Sequence, residues 1–168
     1  MNKNILEYTG KLNIRYLINN KEVQYKGHNE GLSALFKYIC KVLSGNLENA
    51  KESGPTFVDV RFLAENDGTI VQTSCLYNKI DISNKEYFFD TSISSWVARF
   101  KTVLSYNMIN FSIVNTHLQD TVYLYLVSGN GQDLARLLLT DALDLRDITV
   151  GTQALVEWTM QVQNSMGD

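Results

Sequence analysis

Gly151-Thr152-Gln153-Ala154-Leu155-Val156-Glu157-Trp158-Thr159-Met160-Gln161-Val162-Gln163-Asn164 decides the fold. Ala154, Val156, Trp158, Met160 and Val162 take every second position, with Glu157, Thr159, Gln161 and Gln163 between them. A period of two puts the apolar side chains on one face of an extended chain and the polar ones on the other. An α-helix would scatter them around its axis. The segment reads as a long, half-buried antiparallel strand. Such a strand needs a sheet beside it and a second layer over its apolar face, which makes Val156, Trp158 and Met160 expected core.

Working outward, the remaining chain supplies both. Residues 5–26 read as a hairpin: Leu12, Ile14, Tyr16 and Ile18 alternate with Lys11, Asn13, Arg15 and Leu17, Asn19-Asn20 suits a two-residue turn, and Val23 and Tyr25 share a face of the return strand. Residues 29–44 predict a helix. Asn29 is a good N-cap, Glu30 suits the first turn, and Gly45 suits the position past the end. Leu32, Leu35, Phe36, Ile39 and Leu43 form one stripe, so Leu35, Phe36 and Ile39 are expected core, with Lys37 and Lys41 on the other side. Residues 45–55 read as a polar loop closed by the single proline, Pro55. Val58, Val60, Phe62 and Ala64 then alternate. Asn66-Asp67-Gly68 is a strong hairpin signal, and 70–76 return.

Residues 78–86 read as loop, and Tyr87-Phe88-Phe89 opens another strand. Trp96, Ala98, Phe100 and Thr102 alternate, and Ile109, Phe111 and Ile113 make a further strand. Val122 to Val127 suggests a central strand covered on both faces, and 128–131 a turn. Residues 132–147 read two ways. Leu134, Leu137, Leu138, Ala142 and Leu145 fit a helix, which periodicity prefers; residues 134–139 also fit a short strand. The sum is about eight or nine strands, hence a mainly β, single-domain antiparallel sandwich, jelly-roll-like, with one helix packed on it.

Composition narrows the classes of function. A net charge of −3 builds no basic face for phosphates, which argues against nucleic acid. Nothing is apolar enough to span a membrane or serve as a signal peptide, so folding in a cytoplasm is expected. Cys40 and Cys75 have no metal or redox spacing and read as small buried hydrophobes. His28 and His117 stand alone, as turn or surface residues. Asp141, Asp144 and Asp147 recur at a spacing that suits a hard cation but lack the glycine of a calcium loop, so they read as a solvated face. Gly129-Asn130-Gly131 is a turn rather than a dinucleotide loop. Tyr87, Phe88, Phe89 and Trp96 read first as core, then as a protein interface, then as a sugar-stacking platform. No constellation supports catalysis, and no cofactor is expected.

Two segments together resemble small bacteriophage virion proteins. One is Asn29-Glu30-Gly31-Leu32, the helix to Leu43, Ser44-Gly45-Asn46, Pro55 and the strand Phe57 to Leu63. The other is Asp133-Leu134-Ala135-Arg136-Leu137-Leu138-Leu139, then Ile148-Thr149, Gly151-Thr152 and the alternating strand through Trp158. This resemblance implies that residues 134–140 are a strand. It implies a non-enzymatic virion subunit, an adaptor or capsid auxiliary protein that self-associates and binds capsid, neck or tail proteins, assembled in the bacterial host cytoplasm. The hairpin within residues 1–27 lies outside the resemblance and is assigned to assembly, with Leu12, Ile14, Tyr16 and Tyr25 as interface. The alternative is a carbohydrate- or receptor-binding module of a tail or fibre, working through exposed aromatics such as Trp96.

Overall fold

The computed structural model describes residues 6–18, 21–46, 48, 50–109, 115–139, 145, 146, 148, 150 and 153–164. Along them run β1 (Leu6–Ile18), β2 (Lys21–Gly31), helix α1 (Ser33–Leu43), the single helical turn α2 (Ala50–Ser53), β3 (Pro55–Asn66), β4 (Thr69–Asp81), β5 (Asn84–Asp90), β6 (Ser95–Ser105), β7 (Thr121–Ser128), β8 (Asp133–Leu139) and β9 (Gln153–Asn164). Three-residue 3-10 turns stand at Tyr106–Met108 and Asn115–His117. Among the described residues no helix is long and apolar enough to cross a membrane.

Every strand pairs antiparallel. One sheet has the order β2-β1-β9-β6-β5 and the other β4-β3-β7-β8, and β2 serves both. Its residues Lys21–Asn29 pair with β1, after which Glu30 and Gly31 cross to Arg136 and Ala135 of β8. Val60, Phe62, Leu124 and Leu126 of the second sheet and Leu104, Ala154, Val156 and Trp158 of the first bury one another in a single core. The expected sandwich is there. Its order is built from four in-sheet hairpins closed by β9, and jelly-roll winding is not established by it.

The closing strand behaves as its alternation demands: Ala154, Val156, Trp158 and Met160 are buried, while Glu157 and Thr159 are half-buried. The turn between β3 and β4 holds Asp67 at φ 49° and Gly68 at φ 77°. Two successive positive φ values match the right-handed twist of the flanking strands. β7 is covered on both faces, with Leu124 and Leu126 inward and Tyr125 and Val127 buried on the other side. Residues 133–139 are strand, as the resemblance implied and bare periodicity did not.

Other readings need correction. Asn29 does not cap the helix. It lies in β2 opposite Gly10, and α1 begins after Leu32, whose N–H donates to Leu134 O at 2.9 Å. Sheet pairing has overridden a local cap signal. The helix end is as expected. Gly45 (φ 75°) donates to Val42 O, and Asn46 donates to Lys41 O. These two bonds make a Schellman motif. Leu35 is buried and Ile39 packs on the core, but Phe36 is 45% exposed. The helix touches β8 through the Leu32–Leu35 turn, so a side chain one step round from Leu35 falls on the flank. Residues 78–86 are not a loop: β4 runs to Asp81 and β5 starts at Asn84. These polar residues form the outer edge strands, where charged side chains are the rule. Cys40 is exposed and Cys75 half-buried.

The 5–26 hairpin is not an appendage in its pairing. β1 is hydrogen-bonded on both sides, to β2 and, from Leu6↔Asn164 to Tyr16↔Ala154, to β9. The side chains of Leu12, Ile14, Tyr16, Tyr25 and His28 lie outside the described residues. So does the strand expected around Phe111 and Ile113, and so do Asp141, Asp144 and Asp147.

Candidate functional site

The β5–β6 hairpin carries the most conspicuous surface. Phe89 pairs with Trp96 and Tyr87 with Ala98; on β6's other edge Ala98 pairs with Met160 and Phe100 with Trp158. Cross-strand neighbours project from the same face of a sheet. Tyr87, Phe89 and Trp96 therefore stand on the face that Met160 and Trp158 bury in the core. Along this face burial runs out: Trp158 is 0% exposed, Trp96 62%, Phe89 47% and Tyr87 80%. The apolar inner face of the first sheet extends past the second sheet, and the three rings occupy the overhang.

The rings touch one another without lying flat. Tyr87 and Trp96 have centroids 6.1 Å apart and planes tilted by 40°. Phe89 meets Trp96 edge-on at 5.7 Å and 71°. Phe88 is on the opposite face, where the Arg99 guanidinium lies 4.6 Å above its ring and pairs with Glu86. The hydrogen bond from Arg99, with charge from Arg99 and Lys101, holds the Glu86 carboxyl below the usual range. Of the four aromatics read from the sequence, three come together and one does not. From the side-chain areas typical of such rings, the exposed part is on the order of 350 Å². That is within the range of the largest apolar patch on an ordinary monomer, about 300–600 Å², which is often functional.

Two polar clusters were not foreseen. On the outer face of the second sheet, Arg61 donates to Asp59 through Nε (3.2 Å) and Nη2 (3.0 Å) and to Asp133 through Nη1 (2.9 Å) and Nη2 (2.6 Å). Its guanidinium lies 4.1 Å from the Tyr125 ring centroid. Asp59 also accepts the Lys79 N–H at 2.7 Å, where Lys79 takes φ 51°. Burial by itself would lower the Arg61 pKa, but the bonds and charges of Asp133 and Asp59 outweigh it and raise it. Burial also pushes the Cys75 thiol up, the opposite of an activated nucleophile. The sequence signal was present in β3: Asp59 and Arg61 alternate against Val58, Val60 and Phe62.

The second cluster contains His117. Its Nδ1 is 2.8 Å from Asp120 Oδ2, which also accepts the Thr73 hydroxyl at 2.5 Å. The imidazole stacks on Phe62 at 5.5 Å, and Arg146 donates to the carbonyls of His117, Leu118 and Asp120. The arrangement looks triad-like but has the carboxylate at its centre. A nucleophile must give its proton to the imidazole, and here the hydroxyl addresses the carboxylate instead. The cluster clamps a turn. Among the described residues no three His, Cys, Asp or Glu side chains gather as a metal site.

No protein-family model, no curated protein and no solved structure matches the chain.

Proposed function

We propose that the protein is a non-enzymatic structural subunit of a bacteriophage virion, an adaptor or auxiliary subunit whose Tyr87–Phe89–Trp96 surface docks on a capsid, neck or tail protein. The carrying observation is that core-type aromatic surface continues uncovered past the edge of the sandwich. Trp and Tyr dominate the energetic centres of protein interfaces. Burying about 350 Å² of apolar surface is worth roughly 9 kcal/mol before ordering costs. The area is under half of the roughly 800 Å² per partner of a standard interface. The rings are thus the centre of a larger contact. That the partner is a virion protein, and that copies self-associate, rest on the resemblance described above.

A second reading, a carbohydrate- or receptor-binding module, is favoured by the exposure of Tyr87 and Trp96. Tilts of 40° and 71° count against it, because a flat sugar chain stacks on coplanar rings. The deciding experiment compares particles assembled with wild-type protein and with Tyr87→Ser/Trp96→Ser. The expected result is a defined copy number in the wild-type cryo-EM map and loss of occupancy in the variant. Equal occupancy of a folded variant refutes the docking surface, and absence of the protein from purified particles refutes the virion role. Glycan-array binding lost on Trp96→Ala without unfolding would establish the second reading.

A further inference from the structure

A cleft of about 300 Å³ opens between α1, α2 and the β7–β8 turn, lined by Ala34, Lys37, Tyr38, Lys41, Ser53, Asn130 and Gln132. We infer that this cleft binds a small anionic sugar, a single carboxylate-bearing ring such as a uronate. It shares no residue with the aromatic surface, and the inference does not rest on the docking proposal.

The walls are tied together independently of any ligand. The Asn130 N–H donates to Glu52 O at 2.9 Å, which fixes the β7–β8 turn to α2. Gln132 N–H donates to the Ser128 hydroxyl oxygen at 2.9 Å. Gly131, at φ 83°, makes that tight reversal. Lys41 Nζ donates to Ser53 Oγ at 3.2 Å, which joins α1 to α2.

The chemistry of the lining is one-sided. Lys37 and Lys41 are four residues apart on α1, so they are neighbours on one helix face and repel each other. Among the described residues neither has a carboxylate partner. Both side chains line the one cleft, so a carboxylate held there would offset their mutual repulsion. The remaining polar lining consists of the hydroxyls of Tyr38 and Ser53 and the amides of Asn130 and Gln132, partners for sugar hydroxyls. The Asn130 side-chain oxygen already accepts the Ser128 hydroxyl, which leaves its NH₂ as a donor. The volume is at the small end of ligand pockets, about 300–1,000 Å³, and suits one ring rather than a chain. A bare phosphate would use the lysines and leave the amide wall idle. A neutral sugar would do the reverse.

The test is a chemical-shift titration of the full chain with sodium glucuronate, glucose and sodium phosphate at constant ionic strength. Glucuronate is expected to bind in the millimolar range and to move the amides of residues 34–41 and 130–132. Glucose and phosphate should each bind at least fivefold more weakly. Lys37→Gln/Lys41→Gln should weaken glucuronate at least fivefold while leaving glucose unchanged, and Gln132→Ala should weaken both sugars. An unchanged spectrum away from the cleft certifies that the variants fold. No glucuronate response up to tens of millimolar overturns the inference. So does glucose or phosphate binding as well as glucuronate, or a folded lysine variant that binds undiminished.

Discussion

Replacing Asp59 by alanine should cost far more than replacing Asp133, although both pair with the same arginine. The side chain of Asp59 is 7% exposed and that of Asp133 36%. Asp59→Ala removes two bonds from Arg61 and the acceptor of the Lys79 N–H. An orphaned buried donor costs about 1–3 kcal/mol and a charge-assisted bond about 1.5–3 kcal/mol. Breaking a buried ion pair falls at about 3–5 kcal/mol. Arg61 keeps Asp133, so the expected loss is at the low end, about 3 kcal/mol. Asp133→Ala leaves Arg61 its bonds to Asp59 and its place over Tyr125. Water screens the exposed carboxylate, so that loss should be about 1 kcal/mol or less. In thermal unfolding the two changes correspond to falls in Tm of roughly 6–12 °C and 2–4 °C for a chain of this size. Urea denaturation gives the free energies directly, provided the slope is unchanged. Asp59→Asn keeps an acceptor for Lys79 and should lie between them. Equal losses for the two alanine variants would refute the idea that burial, rather than the number of bonds to Arg61, sets the energetics.

Trp158→Ala should destabilise by about 3–5 kcal/mol as a core truncation, whereas Trp96→Ala should cost only the ring contacts, about 0.5–1.5 kcal/mol; similar losses in urea melts would mean the overhang is covered. Tyr77 is buried with its hydroxyl unpartnered among the described residues, and burial raises its pKa; Tyr77→Phe should leave stability unchanged or raise it by about 1 kcal/mol, and a clear loss would show that the hydroxyl is bonded. The Thr73 hydroxyl, aided by His117 and the charge of Arg146, holds the Asp120 carboxyl below its ordinary range against the opposing effect of burial. A lowered folded-state pKa stabilises fully above the unfolded value, about 3.9, and the effect vanishes as pH falls through the folded value. The stability advantage of wild type over Asp120→Asn should therefore be full at pH 5–7, begin to fall near pH 4 and vanish only in stronger acid, as pH passes through the lowered folded value; an advantage already lost above about pH 4 would remove the carboxylate from the clamp.

The strands were legible wherever two faces met unlike surroundings. Ala154 to Met160 and Val58 to Phe62 alternate because one side is core. The Asp67-Gly68 turn was legible because few residue types accept positive φ in succession. The edge strands were not: Asn78 to Asp81 and Asn84 to Glu86 are polar because an edge tolerates polarity, and local preference reads that as loop. The aromatic surface was half legible. Alternation names the apolar face of a strand but not how far the opposing sheet reaches across it. That depends on the overlap of β3, β4, β7 and β8 with β6, set by pairings distant in sequence. Phe36 failed for the same reason, since the helix stripe does not say which turn docks.

The pairing of β1 with β9 brings Leu6 directly across from Asn164. Facing residues in an antiparallel pair have Cα atoms about 4.5–5.5 Å apart. The two ends of the fold thus share one gate. A short flexible bridge from Asn164 to Leu6 would span that gap without bending the sandwich. New ends can then be cut at the β3–β4 turn, where Asp67 and Gly68 are exposed. Leu6 and Asn164 thus stand at the same pole of the sheet. The pairing of Val97 with Gln161 and of Phe89 with Trp96 sets this pole beside the overhanging aromatic hairpin, so a bulky fusion there would crowd that surface.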